Sequence, residues 1–232
     1  LDAAVETIAE IGALEGAVVD FPVKVFLYDS AEELQLAIVP GGGRGITVLG
    51  EVVYSDTAMV SAEGSTLDIA RHEVAHIVTG FATKGPFGIP DWMNEGISVY
   101  AQRESISGFD VALEAAINRD NVLTLKEMNS SASGDVASTV SVYYGQAGSI
   151  IKFLVETYGP EQFAELIKTF KDGSRIDAAF KSVYGFDQFG LENAWRESVG
   201  LEAREASAEP SAAATNEVSS QPSVTNGDDR GG

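Results

Sequence analysis

Two styles of patterning succeed one another along the chain. Between residues 21 and 62 the apolar positions come in short β-prone runs, Val23 to Tyr28, Ile46 to Leu49, Glu51 to Tyr54 and Ala58 to Ala62, separated by Pro, Gly and Asp. From Ser65 onward the spacing turns helical. Ser65-Thr66-Leu67-Asp68 is a capping-box pattern, in which the Ser and Asp side chains satisfy free backbone donors, and it predicts a helix over about Thr66 to Thr79. The next helical segment runs from Pro90 to Tyr100. A long helix is predicted over Ala137 to Tyr158, with Ala147, Ile150, Ile151, Leu154 and Tyr158 on one face and Gly159-Pro160 as its stop. Tyr158 to Phe163 and Tyr184 to Phe189 echo each other as a glycine helix end followed by a new helix start, a recurrence too isolated for a solenoid. The expectation is an α+β fold: a small N-terminal sheet within about residues 1–64, packed on the Thr66 to Thr79 helix, then an all-helical lobe over about 65–200, with a cleft between them.

Composition changes this picture at the ends and in the choice of partners. Beyond about Leu201 the chain is rich in Ala, Ser, Glu, Pro, Thr, Asn and Gly with almost no large apolar residues, so residues 201–232 are expected to be a disordered tail. Such a tail reads equally as a stalk toward a surface anchor, a solubilising linker or a fusion scar, and the expected location is extracellular or cell-surface. A chain that starts on Leu1 is expected to be a mature or excised form. Lys and Arg total 15 against 35 Asp and Glu, a net charge of -20 that repels phosphate backbones and anionic lipid, so nucleic acid is not an expected partner. The apolar stretches fall short of the roughly 20 residues that span a bilayer, and no membrane-spanning segment is expected. The run Gly41-Gly42-Gly43-Arg44-Gly45 lacks a following Gly-Lys-Ser/Thr and reads as a flexible turn rather than a phosphate cradle.

With no cysteine in 232 residues, any metal must sit on nitrogen and oxygen. Arg71-His72-Glu73-Val74-Ala75-His76 matches the HExxH pattern inside a predicted helix, where residues four apart share a face and both imidazoles can reach one ion. His72 and His76 are the only two histidines. Glu73 beside them is suited to accept a proton from water, and the rest of the helix is apolar nearly all round. A catalytic zinc needs a third protein ligand, and here it must be a carboxylate. Asp91 and Glu95 are the candidates in the next helical segment. Asp91, just after Pro90, stands where capping is the ordinary role, whereas Glu95 is one turn inside, eighteen residues beyond His76.

HEVAH, eighteen residues, then WMNEGISVY resembles the HExxH-x18-E arrangement of the gluzincin peptidases, the M1 aminopeptidases and the broader peptidase MA-like group. The resemblance covers about residues 45 to 200. It implies a thermolysin-like catalytic domain with one zinc per chain on His72, His76 and Glu95, Glu73 as general base, and peptide or protein substrates. Tyr144-Gly145-Gln146-Ala147-Gly148 is similar to the tyrosine-led helix start of M1-like enzymes and implies Tyr144, in competition with Tyr143, as the donor that stabilises the oxyanion. The metzincin pattern is excluded, because Thr79 and Ala82 stand where its Gly and His belong. Thermolysin-type enzymes commonly carry an acidic residue four after the ligand glutamate, and this chain has Val99. The GxMEN segment with which M1 enzymes hold a free amine is missing, and Thr57-Ala58-Met59-Val60-Ser61 is only an echo of it that could serve as an edge strand for an extended peptide. The expected activity is therefore zinc-dependent endopeptidase, with an M1-type aminopeptidase and a non-catalytic zinc-containing binding domain as alternatives.

Overall fold

The computed structural model describes residues 2–30, 32–33, 45–48, 52–56, 65–85, 88–103, 108–130 and 137–205. It opens on a helix, α1 (Asp2–Glu15), in a region read above as sheet-bearing. The reason lies in the spacing: Ala3, Thr7, Ile11 and Leu14 recur every three or four residues and form the buried stripe, turned against α2 (Ser65–Ala82) and α7 (Pro160–Lys171). Three strands of four or five residues follow it, β1 (Lys24–Tyr28), β2 (Gly45–Val48) and β3 (Val52–Asp56). They are ordered β1-β3-β2, with β1 parallel to β3 (Lys24 opposite Val52) and β2 antiparallel to it (Gly45 opposite Ser55).

The α+β expectation is therefore corrected. The body is helical, and its first helix belongs to the same packed unit as the helices after residue 65, so the described residues of 1–64 do not form a sheet lobe facing a helical one. Strands this few and short cannot cover a core of their own. The Ala58 to Ala62 run, the Thr57 to Ser61 stretch, Gly41 to Arg44 of the glycine turn, and the tail beyond Glu205 lie outside the described residues.

The remaining helices are α3 (Asp91–Ala101), α4 (Phe109–Ile117), α5 (Leu125–Ser130), α6 (Ala137–Tyr158), α8 (Ile176–Tyr184) and α9 (Gln188–Ser198). Helix α6 ends where the sequence places the stop: Gly159 takes φ 92°, and Pro160 starts α7, where its missing N–H costs nothing. The core is built around α3 and α6, with Trp92, Met93, Ile97, Ala147, Ile150, Ile151 and Leu154 all buried.

Two glycines set how near these helices come. A Cβ on Gly96 would stand 2.7 Å from Ala147 O, and one on Gly148 2.5 Å from Val99 Cγ1, so α3 and α6 cross closer than any side chain allows. Gly145 does the same for α4, where a Cβ would stand 2.6 Å from Phe109 O. The small residues following Tyr144 thus draw three helices together beside Glu95.

Gln146, fully buried, is a splint: its amide donates to Leu123 O at 2.7 Å and its oxygen accepts from Leu123 N at 2.8 Å. Arg204 closes the C-terminal end, its guanidinium donating to Val122 O at 2.8 Å and its N–H to Asn193 Oδ1 at 2.8 Å.

Candidate metal centre

Helix α2 supplies the first half of the site. Val74, Ala75, Ile77, Val78 and Ala82 bury it on several sides, and His72, Glu73 and His76 occupy what is left partly open. The two imidazoles, one turn apart, stand with ring centroids 4.8 Å from each other at 82°. Helix α3 supplies the second half. Pro90 precedes its first turn, Trp92 and Met93 are fully buried on the core side, and Glu95 faces α2.

Glu95 Oε2 lies 3.2 Å from His72 Nε2 and 3.6 Å from His76 Nε2. One ligand atom from each of the three residues falls within 4.8 Å of the others, the cluster of this kind found among the described residues. Asp91, the other carboxylate considered as a third ligand, is the first residue of α3 and is not part of it. Burial opposes the charge on Glu95, but the hydrogen bond from His72 and the charges of His76 and His72 outweigh it and hold the carboxyl below its usual range.

The outward nitrogens are engaged as well. His76 Nδ1 has Asn94 Oδ1 at 3.0 Å and Ser98 Oγ at 3.0 Å, and His72 Nδ1 has Gln102 Nε2 at 3.0 Å. A histidine that binds a metal through Nε2 needs its Nδ1 tied in this way, which fixes ring orientation and tautomer. Three N/O donors with Nε2 inward and Nδ1 tethered, and no thiolate, fit a zinc ion with one position left for water.

Sequence reasoning missed Asn94, Ser98 and Gln102. A signal was present: on a helix otherwise as apolar as Trp92, Met93, Ile97 and Ala101, polar residues recur at 94, 98 and 102, four apart on one face.

Helix α6 lines the third side. The Tyr144 ring lies 6.2 Å from His72, stacked at 5.1 Å and 14° on Phe109 of α4. Burial, then the charges of Glu95 and Glu73, push its phenol up to about 12. Tyr143 points into the core instead, 1% exposed, and its hydroxyl has no hydrogen-bond partner. Burial, Glu95 and Asp91 raise its pKa too.

A helical body that turns two histidines of one helix and a glutamate of the next toward a common point, with a second glutamate and a tyrosine close by, fits the frame of a metallopeptidase-type hydrolase. The chain belongs to the Peptidase MA superfamily, whose model matches residues 3–200 and so takes in α1 as well as the helices that carry His72, His76 and Glu95. Membership makes it a peptidase, acting on peptides or proteins. No curated protein and no solved structure matches the chain. Among the described residues, no helix is long and apolar enough to cross a membrane.

Proposed function

We propose that the chain is a zinc-dependent endopeptidase, with His72, His76 and Glu95 holding the ion, Glu73 as general base and Tyr144 as oxyanion donor. The observation that carries this reading is the convergence of His72 Nε2, His76 Nε2 and Glu95 Oε2 while both Nδ1 atoms are held from behind. When bound, zinc supplies Lewis-acid chemistry, lowering the pKa of water and polarising a carbonyl.

The chain's own groups do the rest. Glu73 follows His72 directly on α2 and accepts the proton of the attacking water, then returns it to the leaving amine. As the carbonyl oxygen gains charge, the Tyr144 phenol donates a hydrogen bond to it. With its pKa pushed up to about 12, that phenol keeps its proton across the working range of any such enzyme. Phe109 backs the tyrosine and gives this side of the cleft an apolar wall.

The endopeptidase reading over the aminopeptidase one is supported by the sequence upstream of α2, which has no GxMEN carboxylate to bind a free amine. A degenerate peptide library with blocked and free termini, read by mass spectrometry after incubation with the zinc-loaded protein, tests the proposal. Internal cleavage of doubly blocked peptides is expected. Cleavage confined to peptides with a free amine would make it an aminopeptidase, and zinc binding without turnover would make it a binding domain.

A further inference from the structure

Resting on the metal-site reading above, the structure assigns Asp68 as a positioning residue. Its buried carboxylate on α2 captures the backbone N–H of Arg103, just past the end of α3, and so fixes where α3 presents Glu95 to the two histidines. The contacts between the two helices run in register. From His76 back to Asp68 on α2, the partners advance from Asn94 and Ser98, through Glu95 and Gln102, to Arg103. The helices are thus antiparallel, and Asp68, one turn before His72, is the last rung of the ladder that holds the three ligands.

That rung is made where α3 has run out of bonds of its own. Gln102 turns to φ -72° and ψ 145°, with its N–H donating to Val99 O at 3.1 Å. The next N–H, of Arg103, leaves the helix and donates to Asp68 Oδ1 at 2.9 Å. The same oxygen is held from its own helix by Arg71 Nη1, which donates to it at 2.8 Å. Asp68 and Arg71 are both buried, at 1% and 9% exposure. A buried ion pair gains little over apolar side chains of the same volume, because desolvation offsets the attraction. What apolar side chains cannot supply is a fixed acceptor aimed at one N–H of a neighbouring element. Close packing through Gly96 and Gly148 sets the separation of α3 from α6, whereas the directional bond to Asp68 sets its register along α2. Register matters because zinc bonds to nitrogen and oxygen tolerate errors of only about 0.2 Å. The Arg103 side chain reaches Glu10 of α1 at 2.8 Å, but both groups are half exposed and the pair is screened by solvent.

The test uses the full chain and zinc alone as the probe, with affinity measured by chelator competition at a temperature where circular dichroism shows each variant folded. Arg103→Pro and Arg103→Ala both lose the side chain, but only the proline loses the N–H, and Gln102 already has the extended backbone that precedes a proline. Arg103→Ala should bind zinc within about twofold of wild type. Arg103→Pro should bind about 10-fold more weakly. Asp68→Leu combined with Arg71→Met removes the acceptor without stranding a buried charge, and should weaken zinc by a similar factor. Leu191→Ala truncates a buried side chain in α9, which packs on α5, α6 and α8. It should lower the melting temperature yet leave the affinity of the folded chain unchanged, which separates positioning from stability. Either Arg103→Pro or the double variant binding within about twofold of wild type overturns the proposal, as does Arg103→Ala or Leu191→Ala binding as weakly as Arg103→Pro. If Arg103→Pro does not fold, the double variant decides. A folded wild type that binds no zinc sinks the metal-site reading itself.

Discussion

Glu15 is the most conspicuous electrostatic cost in the fold. It ends α1 facing α2, 3% exposed, with Oε1 accepting from Thr79 Oγ1 at 2.7 Å and Oε2 buried without a partner. Burial raises its pKa from 4.5 to about 8, and the Thr79 hydrogen bond recovers only part of that shift. The folded pKa lies above the unfolded one, so between these two values the native chain binds the extra proton and stability falls as pH rises. The slope is about 1.4 kcal/mol per pH unit, which amounts to roughly 3 kcal/mol lost by pH 7 relative to acid and levels off above the folded pKa. Glu15→Gln removes the titration. Its amide still accepts from Thr79 but leaves an N–H₂ group at the unpartnered position, at about 1 to 3 kcal/mol, so the net gain at pH 7 is small. The pH dependence is the sharper observable, because the background slope from the many other carboxylates cancels in the comparison. Urea unfolding of wild type and Glu15→Gln from pH 5 to pH 8 should show the variant gaining on wild type by about 1 kcal/mol per unit, with equal m-values. Parallel profiles would mean that Glu15 is ionised in the native state, with a water or a shift of α1 satisfying it.

The other expectations concern the site and its packing. Glu73→Gln should keep one zinc per chain while peptide hydrolysis drops about 10²- to 10⁴-fold, measured by elemental analysis and steady-state kinetics. Tyr144→Phe should lower kcat by about 10²- to 10³-fold with KM and zinc content little changed. Tyr143→Phe removes a buried hydroxyl that has no partner and should be neutral or slightly stabilising in thermal melts; a reversal of the two tyrosines moves the donor role. Gly148→Ala sets a methyl 2.5 Å from Val99 Cγ1 and should cost about 1 to 3 kcal/mol, relieved by adding Val99→Ala. Gly96→Ala meets the backbone oxygen of Ala147, which cannot move aside, and should lower both stability and zinc occupancy.

How much of this was legible depended on whether a feature lives on one helix or between several. The helix limits were readable at α6, Ala137 to Tyr158, because the Gly-Pro stop is local chemistry. The N-terminal helix was overlooked because small and polar members, Ala3 and Thr7, carry half of its buried stripe, and a pattern read by large apolar residues passes over them. The short β-prone runs then drew the fold class toward a sheet that stays a minor attachment to a helical body.

The site divides along the same line. His72 and His76 could be placed together because four residues along a helix amount to one turn, and Glu95 could be chosen by exclusion of sulfur and further histidine. What holds them could not. Gln102 meets His72 only because α3 stops at Gln102, Arg103 finds Asp68, and α3 has come near enough to α2 and α6 for a side chain to span the gap. Each condition depends on another element, and none leaves a period in the sequence. Which residues can converge is therefore a property of helix register, whereas how their side chains are oriented is a property of the crossing. Val99 packs against Gly148 to set the helix spacing, and the polar contact to His72 comes from the residue that ends the helix.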